Sequence, residues 1–118
     1  MAVANVNGKI SSLENAVIGI SDRGFLYGDS LYEVMFVRNG IPIFWQDKFA
    51  RMHRSANQMK MKISQTDDEL IQEIKSTLDY LGPVDGQIYV RWIITRGAGP
   101  ITLNTQPNEK TSFVIIGK

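Results

Sequence analysis

Hydrophobic and polar residues follow a strand-like pattern in three stretches of the chain. Residues 31–38, 87–95 and 112–116 are rich in aromatic and β-branched side chains, a composition that favours strands. Asn7-Gly8 and Asn39-Gly40 are typical of two-residue hairpin turns, because both central positions of such a turn need a positive φ angle. The pattern therefore predicts a small hairpin at the start of the chain, longer strands in its middle and near its end, and a loop from Ile101 to Pro107. Residues 31–38 are apolar on both alternating faces apart from Glu33, so this strand is predicted to be covered on both sides.

The period changes between residues 46 and 82, where two consecutive helices are predicted. From Gln46 to about Lys62, one face of a helix collects the apolar residues Phe49, Met52, Ala56, Met59 and Ile63. Thr66 and Glu69 have the spacing of a capping box that begins a second helix, and Gly82-Pro83 ends it. Because strands flank two adjacent helices, the predicted fold class is α+β, a mainly antiparallel sheet packed with two consecutive helices.

Composition limits the class of protein. The 118 residues correspond to one domain, with 43% hydrophobic and 21% charged residues, as in ordinary globular proteins. A net charge of +1 without a long basic run argues against nucleic-acid binding. With no cysteine and a single histidine, disulfides and cysteine-based or multi-histidine metal sites are excluded, and no metal is expected. The sequence has neither a signal peptide nor a membrane-length apolar run, so a cytoplasmic location is expected.

Two charged residues interrupt otherwise apolar strands. Glu33 shares one strand face with Leu31 and Met35, and a buried unpaired carboxylate there would cost several kcal/mol. Arg91 poses the same problem in the 87–95 strand. Arg91 could pair with Glu33 and join the two strands, or bind a substrate carboxylate through its forked guanidinium. Glu33 could also lie in solvent at the strand end.

Other residues carry weaker signals. Tyr27 and Tyr32 have phenols that could line a pocket, although such tyrosines more often simply pack. Arg51 lies off the apolar stripe of its helix, as solvated arginines do, and His53 is expected to have no catalytic role. Residues 96–100 lack the signature of a phosphate loop and are interpreted as a tight turn at a pocket rim.

Three motifs together resemble a known family. The turn Asp22-Arg23-Gly24-Phe25-Leu26-Tyr27-Gly28-Asp29 precedes Tyr32-Glu33 on a strand, and Phe49-Ala50-Arg51-Met52 comes next on a helix. In this order they resemble the small N-terminal domain of the class IV (fold-type IV) pyridoxal-phosphate aminotransferases. The resemblance covers nearly all 118 residues. It implies that the cofactor is pyridoxal 5′-phosphate and that the substrates are an amino acid and a 2-oxo acid.

The resemblance also implies a role for each matching residue. Arg51 matches the helix arginine that binds the phosphate group of the cofactor. Tyr32 matches a strand aromatic that touches the substrate, and Tyr27 a turn aromatic that reaches the active site of a neighbouring subunit. Arg91 matches an arginine near the substrate carboxylate in the branched-chain members. Glu33 is carried only as a supporting residue.

The residues after the Arg96-Gly97 turn divide this family. D-amino-acid aminotransferases place an arginine and a histidine there to hold the α-carboxylate, whereas this sequence reads Gly99-Pro100-Ile101-Thr102-Leu103. The resemblance therefore favours a branched-chain or aliphatic amino acid as substrate. Two alternatives remain open, an enzyme like aminodeoxychorismate lyase and a non-catalytic module that binds or dimerises.

The lysine that bonds to the cofactor in this family lies in a second domain, and no lysine of this sequence matches it. We therefore expect residues 1–118 to be the N-terminal domain of a longer protein whose C-terminal, lysine-bearing domain is absent from this chain. The chain alone is predicted to have no catalytic residue and no aminotransferase activity. The resemblance also implies a homodimer.

Overall fold

The computed structural model describes residues 1–102 and 110–118. Its strands are β1 (Val3–Val6), β2 (Lys9–Ser12), β3 (Ser30–Arg38), β4 (Ile41–Pro42), β5 (Gln87–Thr95) and β6 (Ser112–Gly117). Its α-helices are α1 (Arg23–Tyr27), α2 (Trp45–Gln58) and α3 (Asp67–Asp79), and a 3-10 turn covers Leu13–Asn15. The predicted α+β class with two consecutive long helices is confirmed. The predicted loop from Ile101 to Pro107 lies largely outside the described residues.

The six strands of the described residues form one antiparallel sheet, in the order β2-β1-β6-β5-β3-β4. The two predicted hairpin turns are present, with positive φ at Asn7 and Gly8 and at Asn39 and Gly40. Pro42 lies in β4 at the sheet edge, where its missing N–H costs no ladder hydrogen bond. The pairing of β3 with β5 places Val34 opposite Arg91 and Glu33 opposite Trp92.

The core lies between one face of the sheet and the helices α2 and α3. Trp92 is fully buried at its centre, with its ring centroid 5.2 Å from that of Phe49. The Trp92 indole N–H also donates to the sulfur of Met52 at 2.9 Å, so this buried donor has a partner. Leu70 and Ile74 of α3 complete the same cluster. None of the helices among the described residues is long and apolar enough to cross a membrane.

Helix α2 is shorter than its apolar stripe predicts. The helix ends at Gln58, and Lys60 has a positive φ of 54° that no α-helix contains. The carbonyls of Met59 and Lys60 accept hydrogen bonds from the Arg96 guanidinium, at 2.8 and 3.2 Å. A distant cation therefore satisfies the backbone at the end of α2, and sequence periodicity carries no signal of that contact.

The predicted capping box begins α3. Thr66 Oγ1 accepts from the Glu69 backbone N–H at 3.1 Å, and the Glu69 carboxylate accepts from the Thr66 N–H at 3.0 Å. Replacing Thr66 by alanine should lower the free energy of unfolding by about 1 kcal/mol, because the helix loses its capping oxygen. Thermal unfolding followed by circular dichroism measures this loss. Thr66→Ser, which keeps the oxygen, is the control, and equal melting temperatures for the two variants would contradict the role of the cap.

The opposite face of the sheet is open, which corrects the prediction that both faces of residues 31–38 are covered. Tyr32 is 58% exposed and Phe36 is 41% exposed on that face, whereas Met35 and Val37 on the other face are buried. Within the described residues, the two long helices α2 and α3 pack against one side of the sheet, whereas the short α1 reaches the other side only at its end, where Asp22 binds Thr95. The apolar composition of both faces of β3 predicts that both are buried, but it does not identify the residues that would pack against each face.

Candidate functional site

Glu33 and Arg51 form a forked ion pair between β3 and α2. The Arg51 Nε donates to one carboxylate oxygen of Glu33 at 2.7 Å, and Nη2 donates to the other at 2.5 Å. Glu33 is 6% exposed, whereas Arg51 is 57% exposed. A buried carboxylate thus holds one edge of a guanidinium whose other edge faces solvent, and the two bonds fix the plane of the arginine.

Glu33 also favours the protonated form of Arg51. The hydrogen bond from Arg51 to Glu33, and then the negative charge of Glu33, raise the pKa of Arg51 above its ordinary value. An arginine side chain is protonated at every pH at which proteins are studied, and the raised pKa reinforces this, so Arg51 is a permanent cation.

Arg51 lines an open cleft along α2 with Lys48 and Arg54, which lie about one helical turn before and after it. Asp47 and Phe44 complete the lining. Cationic side chains outnumber acidic ones along this cleft, so the cleft suits an anionic group. The described residues hold no group of three or more His, Asp or Glu side chains placed to bind a metal ion.

Arg91 lies on the open face of the sheet, between two tyrosines. Its guanidinium is 4.7 Å from the ring centre of Tyr32, and its Nε donates to the Tyr89 hydroxyl at 2.9 Å. The predicted alternative in which Arg91 pairs with Glu33 is wrong, because Glu33 projects from the opposite face and is held by Arg51. Arg91 is therefore an arginine with no carboxylate partner among the described residues, stacked on an aromatic ring.

Tyr27 is the last residue of α1, a short helix at the place where the sequence motif is interpreted as a turn. The ring of Tyr27 lies 4.6 Å from the guanidinium of Arg23. The Asp22 carboxylate caps α1 by accepting from the N–H groups of Gly24 and Phe25, and Gly28 ends it in the left-handed conformation. Asp22 and Gly28 are ordinary start and stop residues, so the sequence does contain a signal for α1.

The structure thus joins the predicted site residues in pairs. It brings Glu33 to Arg51 and Tyr32 to Arg91, and it places Tyr27 on a separate element beside Arg23. The role of residues 96–100 at a pocket rim receives partial support, because Ala98 lines a shallow pocket with Asn7 and Phe113. His53 contacts Asp67 at 2.6 Å on the surface.

A buried polar network around α1 is not predicted by any sequence motif. The Arg96 Nε donates to Asp29 at 2.6 Å, and the Thr95 hydroxyl donates to the Asp22 carboxylate at 2.6 Å. These partners are 67 and 73 residues apart in the sequence, so no local pattern links them. The network ties α1 to the end of β5.

Comparison with known proteins agrees with this architecture. The model of the family described as amino-transferase class IV matches residues 30–118. D-alanine aminotransferase of Bacillus licheniformis is 32% identical over 94 residues, which cover 80% of this chain and 32% of the relative. A putative branched-chain-amino-acid aminotransferase of Methanocaldococcus jannaschii is 28% identical over 111 residues, 94% of this chain and 38% of the relative.

A similar fold occurs in a solved structure. The branched-chain amino acid aminotransferase from Escherichia coli superposes with a TM-score of 0.84 at 20% sequence identity. The superposition covers 98% of this chain and 40% of that structure.

The six-stranded antiparallel sheet with two long helices on one face therefore also occurs as part of an aminotransferase structure. Because the family match extends over most of the sequence, this chain belongs to the class IV aminotransferase family. The chain spans about a third of the length of the curated relatives that it matches.

Proposed function

We propose that this chain is the N-terminal domain of a pyridoxal-phosphate-dependent aminotransferase that moves an amino group between an amino acid and a 2-oxo acid. The observation that carries the proposal is the forked pair of Glu33 and Arg51, in a chain of the class IV family. Glu33 aims a permanently charged guanidinium outward, as binding of a phosphate group would require.

The Arg51 guanidinium fits the phosphate of the cofactor in geometry and in charge. Of its five N–H donors, Glu33 engages one on Nε and one on Nη2, which leaves two on Nη1 and one on Nη2 for phosphate oxygens. Glu33 offsets the charge of Arg51, but Lys48 and Arg54 line the same cleft and keep it cationic. When bound, pyridoxal phosphate supplies an electron sink that stabilises a carbanion of the amino acid.

Arg91 is proposed to hold the carboxylate of the substrate. Its position between Tyr32 and Tyr89 restricts the guanidinium, so less conformational entropy is lost when a carboxylate binds. Tyr32 is proposed to line the substrate site beside it, and Tyr27 to face the active site of a second subunit in a homodimer. Glu33 supports the site by orienting Arg51.

The substrate has two candidate classes. Val34, Phe36 and Ile93 form apolar surface around Arg91 on the open face, which favours a branched-chain or other aliphatic side chain. The D-alanine aminotransferases among the relatives favour a D-amino acid instead. Assays of the full-length parent with L-leucine and with D-alanine, each with 2-oxoglutarate, distinguish these classes.

The chain alone is expected to show no transamination, because the lysine that bonds to the cofactor is proposed to lie in a second domain. The test compares the purified 118-residue chain with the full-length parent under the same assay. Borohydride reduction with pyridoxal phosphate, followed by peptide mapping, should place the cofactor on a lysine beyond Lys118. Turnover by the chain alone that persists after removal of contaminants would contradict the proposal, as would a parent that neither binds the cofactor nor reacts.

A further inference from the structure

Arg23 is a buried arginine to which the proposed function assigns no role. It is 2% exposed, although arginine is among the residues that are almost never fully buried without a partner. Its Nη1 donates to the backbone carbonyl of Thr102 at 2.6 Å. Its guanidinium carbon lies over the ring of Tyr27, 4.6 Å from the ring centre.

The nearest carboxylate is already engaged by another arginine. Asp29 Oδ2 accepts from Arg96 Nε at 2.6 Å, whereas Arg23 Nε lies 3.6 Å from the same oxygen. The Arg23 Nε finds no hydrogen-bond partner within the described part of the chain. Two cations thus share one carboxylate, and within the described ranges the hydrogen bond to the Thr102 carbonyl is shorter than the ion pair of Arg23 with Asp29.

The backbone of Arg23 contacts the other end of the same segment. The Arg23 N–H donates to the Gly97 carbonyl at 2.9 Å. One residue therefore binds both Gly97, through its main chain, and Thr102, through its side chain. The bridge between Asp22 and Ala98 adds a further contact on the same side.

We propose that Arg23 is a positioning residue that holds the segment 97–102 at both ends and locks it to α1, so that the segment and Tyr27 form one unit. The consequence for catalysis rests on the proposed function, in which Tyr27 faces a substrate. A change at Arg23 would then alter the choice among amino acid substrates, while the affinity for the cofactor, which depends on Arg51, would remain.

The first test uses this chain and needs no activity. The variants are Arg23→Met, which removes the charge, and Arg23→Lys, which keeps the charge but not the forked shape. Arg38→Met is the matched control, since Arg38 is an exposed arginine whose side chain contacts Gln87. Amide hydrogen exchange reports on Gly97–Thr102, and the 19F signal of 3-fluorotyrosine at Tyr27 reports on its ring. The same label at Tyr32, which lies over Arg91, is the internal reference.

Arg23→Met should speed amide exchange between Gly97 and Thr102 by about tenfold or more. The reason is that the free energy of a hydrogen bond to a charged group corresponds to at least this change in the opening equilibrium of the segment. The 19F signal of Tyr27 should move, while that of Tyr32 and the exchange of Val90–Ile94 stay unchanged. Arg38→Met should change neither. Unchanged exchange and an unchanged Tyr27 signal in a folded Arg23→Met chain would overturn the proposal. If Arg23→Met does not fold, Arg23→Lys must show the same local increase, and its absence there would overturn the proposal.

The second test uses the full-length parent. Arg23→Lys should change the ratio of kcat/KM between L-leucine and a smaller amino acid such as L-alanine by about fivefold or more, with the affinity for pyridoxal phosphate unchanged. An unchanged ratio in an active parent would refute the link to substrate choice. A parent without any aminotransferase activity would refute the proposed function instead, and the exchange measurement would still decide whether Arg23 holds the segment.

Discussion

Replacing Gly97 by alanine should destabilise the chain by about 3 kcal/mol, lowering its melting temperature by about 12 °C. Gly97 has a φ of +94°, and a Cβ added there would lie 2.1 Å from the backbone carbonyl oxygen of Lys110. The turn would have to move away, and its hydrogen bonds from the Arg23 N–H and to the Thr95 hydroxyl would weaken. Stability is measured by thermal and urea unfolding.

Gly8 provides the matched control for this prediction. Its φ of +96° is nearly the same, but nothing lies within 4 Å of a Cβ built there. Gly8→Ala therefore carries the backbone strain without the collision and should cost only about 1 kcal/mol. Equal losses for the two variants would show that the turn yields to a methyl group and that the close approach to Lys110 is not a constraint.

Replacing Arg51 by methionine in the full-length parent should weaken binding of pyridoxal phosphate by about 100-fold, because the charge-assisted hydrogen bonds from the free donors of Arg51 to the phosphate are lost. A spectroscopic titration of the apoenzyme with the cofactor measures this change. The variant should also be less stable than the wild type, because Glu33 is 6% exposed and loses the cation that compensates its burial.

Two further variants separate cofactor binding from folding. The double variant Glu33→Gln with Arg51→Met removes the unpaired charge, so it should regain stability without regaining cofactor affinity. Arg54→Met removes a cation of the same cleft and should weaken cofactor binding far less. If Arg51→Met binds the cofactor within twofold of the wild type, Arg51 is not the phosphate ligand.

Most of the architecture follows from local sequence patterns. The predicted strand 87–95 coincides with β5, and Thr66 and Glu69 begin α3 as their spacing predicts. The Asn-Gly pairs locate two hairpins. These features depend on residues near one another in the chain, so a single sequence carries the information.

The errors arise where distant residues decide the structure. The end of α2 is set by Arg96 and not by the apolar stripe, which continues to Ile63 outside the helix. The uncovered face of β3 has the apolar pattern of a buried face, so composition alone cannot reveal its exposure.

In the candidate site, too, the features that depend on neighbouring residues were predictable and those that depend on distant residues were not. The side-chain period of two places Glu33 and Tyr32 on opposite faces of β3, as predicted. Which cation reaches Glu33 depends on how α2 packs and on the register that sets Val34 opposite Arg91. The role of Arg23 depends on a carbonyl 79 residues away, which no motif near Arg23 reveals.

The strand order has a consequence for how the chain folds during synthesis. Among the described strands, β1 and β6 lie farthest apart in the sequence, yet they pair, with Val3 opposite Gly117. Because β6 also joins β1 to β5, the centre of the sheet cannot close until residues 112–117 have left the ribosome. Contacts so far apart in sequence slow folding, and β1 and β5 present unpaired edges in the meantime. We expect the nascent chain to depend on chaperones until β6 emerges.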